Sequence, residues 1–377
     1  MSNKDRKVDR LRAALSHREA DRVPVGEFYW SGFLQNCRKK WGEDFDPYRF
    51  FDLDYVVINP NMDPRILPFQ VLREEGEEIV VKTGFGATIR RSGTAPMPAF
   101  ESFSVQSAEA MADFPMDDPA DPRRFFQRGD DQINGVGDAL IRDLPSWDDR
   151  LLGYVNDFPL FGSICEPYEY LWRIIGSENA LYWIATERDR IEDFVGRLGK
   201  YLCKMAEAEI EAGRGKLAGM YIWGDVAYRK GMLFGKTRWQ EIFKPHVKAL
   251  IELCHSRGLL VVYHGCGNAI DIFDDMVELK LDAYNPVEAK TGLDVVELKK
   301  RYKGKLAFVG NIDVRILEEG YPEAIRREVI YKLEAARGGG WIFQSDHSVT
   351  SAVAPESYQL ALKILREFGN YPLDLKL

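Results

Sequence analysis

From about residue 215 onward, short apolar runs rich in β-branched residues alternate with amphipathic stretches of helical period. Leu217–Trp223, Leu259–Tyr263, Leu281–Tyr284, Leu306–Val309 and Trp341–Phe343 read as strands. Between and after them, Arg238–Ser256, Ile270–Leu279, Asp294–Tyr302, Pro322–Arg337 and Pro355–Phe368 read as helices. Strand followed by helix, repeated, implies a parallel sheet.

The first half adds three strand candidates, Val23–Phe28, Tyr55–Ile58 and Leu151–Val155. The total of eight predicts an α/β fold, a single (β/α)8 barrel of the TIM type over residues 1–377 with an N-terminal extension. One stretch breaks the rhythm. Val71 to Lys82 reads as a hairpin turning at Gly76, with a second strand pair behind it, so a β-hairpin excursion is expected near residues 70–92. Pro96–Pro122, rich in Pro, Asp and Met, reads as a long connection.

Composition narrows the function classes. A chain of 377 residues, 45% hydrophobic and 29% charged, suits one large globular barrel. A formal net charge of −8 argues against nucleic acid as the main partner. No apolar stretch approaches a membrane span, and the first ten residues lack a signal-peptide core. Five scattered cysteines (37, 165, 203, 254 and 266) suit a reducing cytosol, so a cytoplasmic location is expected. Gly338-Gly339-Gly340 precedes a strand and therefore reads as a helix stop, not a phosphate cradle.

Barrel active sites lie at the C-terminal ends of the strands, so the strand ends are where chemistry is sought. They read Trp223-Gly224-Asp225, His264-Gly265-Cys266, Asn285-Pro286-Val287-Glu288, Gly310-Asn311-Ile312-Asp313 and Ser345-Asp346-His347-Ser348. Each holds a group able to bind metal or move a proton. His264 and Cys266, two apart at a strand end, point to the same side and can converge on one zinc ion. Glu288, one strand further round, is the candidate third metal ligand, with His347 as the alternative, although Glu288 can equally be a solvated loop carboxylate. His347 and Asp225 are the expected catalytic groups, with Trp223 and Tyr228 giving Asp225 a partly apolar setting. Tyr29, Trp30, Trp223, Asn311 and Asp313 are candidate substrate contacts, although Asn311 and Asp313 can equally brace the loop. Glu166 is a weaker candidate of the same kind.

At these residues the chain resembles the uroporphyrinogen decarboxylase (URO-D) superfamily. The likeness also covers His17-Arg18-Glu19-Ala20-Asp21-Arg22-Val23-Pro24-Val25, Phe243-Lys244-Pro245, Gly310-Asn311-Ile312-Asp313 and the stretch from Gly338 through Tyr358. The family fold is a (β/α)8 barrel. True decarboxylases carry an Arg-Gln-Ala-Gly-Arg motif after the first strand, where this chain has Phe28-Tyr29-Trp30-Ser31-Gly32-Phe33. They also carry an aspartate at the end of the second strand, where Asn59-Pro60-Asn61 stands with Asp63 nearby. His264 and Cys266 match instead the first two ligands of the His-x-Cys…Cys zinc motif in the cobalamin-dependent methyltransferase branch. The third cysteine of that motif is missing from Ser345-Asp346-His347-Ser348.

The resemblance therefore implies a zinc-dependent methyltransferase that moves a methyl group between a small O-, N- or S-methylated substrate and a corrinoid protein. The chain has no Asp-x-His-x-x-Gly cobalamin module, so cobalamin is expected in trans, on that separate protein. A homodimer is expected from the family. The alternatives are a metal-free decarboxylase or lyase using His347 and Asp225, and a non-catalytic barrel that binds a small ligand.

Overall fold

The apolar runs of the second half pair side by side and in parallel, as their alternation with helices requires. The computed structural model describes residues 2–66, 70–76, 78–92, 98–128 and 145–375. In chain order its strands are β1 (Val56–Val57), β2 (Gln70–Glu75), β3 (Glu78–Lys82), β4 (Thr88–Ser92), β5 (Ala99–Ser102), β6 (Leu160–Cys165), β7 (Leu217–Trp223), β8 (Ala227–Tyr228), β9 (Gly231–Met232), β10 (Leu260–His264), β11 (Ala283–Asn285), β12 (Ala307–Val309) and β13 (Trp341–Ile342). Seven of them form one curled parallel sheet in the order β1-β6-β7-β10-β11-β12-β13. These strands are buried almost throughout, as expected of a parallel sheet covered by helices.

The expected first strand, Val23–Phe28, fills the eighth place by single bridges instead of a regular ladder. Gly26 N–H donates to Phe343 O and Phe343 N–H to Pro24 O, both at 2.9 Å, while Asp54 N–H donates to Val25 O at 2.8 Å. The segment thus joins the β13 edge to the β1 edge and closes the ring. Pro24 removes one donor from this strand, which accounts for its irregular pairing.

One expected strand is overturned. Leu151–Val155 belongs mostly to the helix Trp147–Tyr154, which starts at a reciprocal cap between Ser146 and Asp149. The strand that fills this place is β6, whose apolar run is broken by Gly162 and Ser163. The excursion holds: β2-β3-β4-β5 form a four-stranded antiparallel sheet. Its last strand, β5, lies inside the stretch expected to be a plain connection. Every residue of β2 is exposed, so the edge of this sheet stands clear of the barrel.

The helical expectations hold with adjusted ends. Lys244–Ser256 is preceded by a π-helical turn, Trp239–Phe243, and Pro355–Phe368 is helical over its whole expected length. No helix among the described residues is long and apolar enough to cross a membrane.

Candidate metal centre

Three side chains meet at the C-terminal mouth of the sheet. Asp225 follows β7, His264 ends β10, and Cys266 follows it by two residues. One ligand atom from each lies within 4.8 Å of the others. Register sets this up: β10 pairs with β7 at His264↔Trp223 and with β11 at His264↔Asn285. Gly265 is required between the two ligands, because a Cβ there would lie 2.5 Å from the Tyr284 hydroxyl and 2.9 Å from Gly224 O.

Hydrogen bonds settle which nitrogen of His264 faces the cluster. The Asn285 amide nitrogen donates to Val309 O at 3.1 Å, which turns its oxygen toward His264 Nδ1 at 2.6 Å. An amide oxygen only accepts, so Nδ1 carries the proton and Nε2 keeps its lone pair. Nε2 lies 3.6 Å from Cys266 Sγ. A buried partner that fixes ring orientation in this way is usual behind a metal-binding histidine.

Asp225 and Cys266 are tied as well. One Asp225 carboxylate oxygen accepts the Cys266 N–H at 2.8 Å. Burial first, then the charge of Asp225 and of Glu288, pushes the Cys266 thiol well above its ordinary value. Such a thiol is a poor nucleophile on its own, and a bound cation would reverse its preference. Imidazole nitrogen, sulfur and carboxylate oxygen together suit zinc.

A cavity of about 140 Å³ opens beside this cluster. Trp30, Trp172 and Trp223 form its apolar walls, and Glu169, Arg173 and His347 bring polar groups to it. The His347 ring meets Trp30 edge-on at 5.2 Å, and its Nδ1 donates to Ser348 O at 3.0 Å. The Trp223 ring lies 4.9 Å from that of His264. Tyr228 stands 49% exposed and does not line this cavity.

Other expected residues sit elsewhere. Glu288 is buried outside the three-residue cluster, with one oxygen 3.3 Å from Lys290 Nζ. Asn311 is fully buried with its amide used inside the protein: its oxygen accepts from Val295 N and Lys332 Nζ, and its nitrogen donates to Val287 O and Leu293 O. Asp313 caps the helix Val314–Glu319 and pairs with Arg315 at 2.6 Å. Both are thus bracing groups and not cavity walls. Tyr29 packs on Phe33 and shares a 3.0 Å hydroxyl contact with Tyr358, behind the wall made by Trp30. Glu166 is fully buried and caps the helix Pro167–Ile175, and burial raises its carboxyl well above the ordinary range.

Sequence reasoning missed the Glu169–Arg173 pair. These residues sit four apart on the helix Pro167–Ile175, joined at 2.7 Å, and both are nearly buried at the cavity. An acid and a base at that spacing inside Tyr168-Glu169-Tyr170-Leu171-Trp172-Arg173-Ile174-Ile175 were the available signal. Paired charges in an apolar helix are seldom exposed decoration.

A parallel barrel with its reactive groups gathered at the C-terminal mouth is an arrangement shared by many enzymes. The chain belongs to the uroporphyrinogen decarboxylase (URO-D) family, whose model matches residues 150–368. A uroporphyrinogen decarboxylase from Pseudoalteromonas translucida (strain TAC 125) is 28% identical over 172 residues, 43% of this chain and 44% of that relative. The match thus spans less than half the length of that protein. Among solved structures, a methyltransferase from Methanosarcina mazei superposes with a TM-score of 0.66 at 17% identity, covering 96% of this chain and 98% of that one. A B12-independent methionine synthase from Shewanella sp. W3-18-1 is more distant, with a TM-score of 0.45 at 10% identity over 89% of this chain and 83% of that one.

Proposed function

We propose that this chain is a zinc-dependent methyltransferase. It would move a methyl group between a small O-, N- or S-methylated substrate and a corrinoid carried on a separate protein. The observation that carries this reading is the convergence of Asp225, His264 and Cys266 within 4.8 Å, with His264 Nε2 turned toward the cysteine sulfur. We assign the three metal donors to these residues, and leave Glu288, beside Lys290, as a nearby carboxylate that adds to the local negative charge. Zinc bound there would supply Lewis acidity to the heteroatom from which the methyl group leaves or to which it goes.

The chain's own residues do the rest. Trp30, Trp172 and Trp223 exclude water and hold a small substrate flat against the mouth. The volume favours a small substrate, since ligand sites commonly measure about 300–1,000 Å³. His347, with Nδ1 committed to Ser348 O, keeps Nε2 for accepting or returning a proton at the substrate heteroatom. The Arg173–Glu169 pair fixes one polar end of the cavity.

The test joins metal content to methyl transfer. Purified protein should hold one zinc per chain and transfer methyl groups to or from free cobalamin, followed by the cobalamin absorbance. Cys266→Ala and His264→Ala should lose both. Wild-type protein with no zinc, or the same turnover from Cys266→Ala, would sink the reading. A metal-free carboxy-lyase using His347 and Asp225 is favoured by one observation, the Arg173 guanidinium at the cavity, which suits a substrate carboxylate. Carbon dioxide release by chelator-treated protein would favour it.

A further inference from the structure

The opposite end of the molecule carries a second cleft, remote from the metal centre. It lies between the N-terminal helix Asn3–Leu15 and the loop that leads into residues 23–28, and measures about 430 Å³. Arg6, Arg10, Arg12 and Arg18 line it together with Asp9 and Asp21. Arg10 and Asp21 neutralise each other: the Arg10 Nε–H donates to Asp21 Oδ1 at 2.7 Å, and Arg10 also reaches the buried Asp54. The side chains of Arg6, Arg12 and Arg18 form no ion pair or hydrogen bond among the described residues, and all three are exposed. Asp9 is the one lining carboxylate outside that pair.

Three guanidinium groups without an ion pair stand around one concavity and repel each other, and Asp9 is the one remaining carboxylate of the lining to offset them. They stand on a chain whose net charge is −8. A scattered surface arginine is ordinary, but a convergent set of this kind stores the attraction that an anion would satisfy. Guanidinium groups match phosphate oxygens with two parallel hydrogen bonds, and the planar fork suits a compact, highly charged group. The cleft is also held in place. Arg18 N–H donates to Ala13 O at 2.8 Å, and Gly338 N–H donates to Glu19 Oε1 at 2.9 Å, so its two walls are tied to each other and to the loop before β13. Its volume is that of a small-molecule site.

We infer that this cleft binds a small multiply phosphorylated molecule through Arg6, Arg12 and Arg18. The site is separate from the mouth of the barrel and independent of the methyl-transfer reading. The Arg10–Asp21 pair lines the same cleft, and Asp9 sets a limit on affinity for the most highly charged anions.

The experiment is calorimetric titration of the full chain with 2,3-bisphosphoglycerate at about 0.15 M ionic strength, where long-range attraction between exposed charges is largely screened. Saturable binding of one molecule per chain is expected. The double variant Arg12→Glu/Arg18→Glu should weaken it by about tenfold or more, and Arg6→Ala by a smaller factor. Neither change removes an ion pair or side-chain hydrogen bond among the described residues, so the thermal midpoint serves as the control for folding and should fall by no more than reversing Arg12 in the last turn of its helix costs. A third arm uses a poly-glutamate peptide. The inference is overturned by no saturable binding of the bisphosphate at millimolar concentration, by binding that the double variant leaves intact, or by binding of the acidic peptide alone.

Discussion

At the scale of single residues, the mouth of the barrel depends on groups that touch no substrate. Asn285 is the sharpest case, since its amide decides which His264 nitrogen is free. Asn285→Leu should therefore weaken zinc by about 10- to 100-fold while leaving all three donors in place. Competition with a chromogenic chelator measures this, and unchanged affinity would show that the ring needs no such support. Glu27 sets a pH dependence. It is buried against Ser345, whose hydroxyl donates to it at 2.7 Å, and burial pushes its carboxyl from 4.5 up to about 8. The folded state thus keeps a proton that the unfolded chain releases, and stability falls as pH rises between those values. Thermal midpoints should decline from pH ~5 to ~8, and Glu27→Gln should flatten that decline. That His264, Cys266 and Asp225 stand together at the mouth was legible because strand ends were legible. The role of Asn285 was not, because an asparagine that braces a ring and one that caps a loop look alike in sequence.

At the scale of elements, βα alternation made most of the second half readable, since each strand there is a continuous apolar run and each helix has a clear period. The failure at Leu151–Val155 has a local cause. Five apolar or small residues suit a strand or a helical turn equally, and the cap at Ser146 and Asp149 decided between them. β6 went unseen because its strand was diluted by Gly162 and Ser163. The triple glycine before β13 was read as a stop, and its geometry adds a second reason for it. Gly339 has φ +73°, and a Cβ there would lie 2.3 Å from Arg18 O. Gly339→Ala combines left-handed strain of about 1–2 kcal/mol with a backbone collision. We expect a loss above that range in urea denaturation, with His264 and its neighbours undisturbed. The same mutation at exposed Gly292, which meets nothing within 4 Å but has φ +88°, should cost only the strain.

At the scale of the whole molecule, the eight-membered ring was legible as a number before its closure was. The closing segment is held less by a strand ladder than by Asp54, which is fully buried, accepts Val25 N–H at 2.7 Å and pairs with Arg22 at 2.9 Å and with Arg10. Removing that carboxylate leaves the buried Arg10 with Asp21 alone, and takes from Arg22 and from Val25 N–H the buried acceptor they share. Asp54→Ala should cost about 3–5 kcal/mol by equilibrium urea unfolding, and Asp54→Asn less. Stability equal to the parent would mean the ring closes by packing alone. The same view of the molecule bears on Asp225, His264 and Cys266. Each is carried by a strand end or loop already fastened through main-chain and amide contacts, and the barrel around them has a core of its own. A cation held by them would therefore be an attachment on a finished scaffold, unlike the ion of small domains that collapse only around it. Such an ion could be stripped and replaced without unfolding the chain, and its identity in a cell would follow from which ions are on offer when the protein is made.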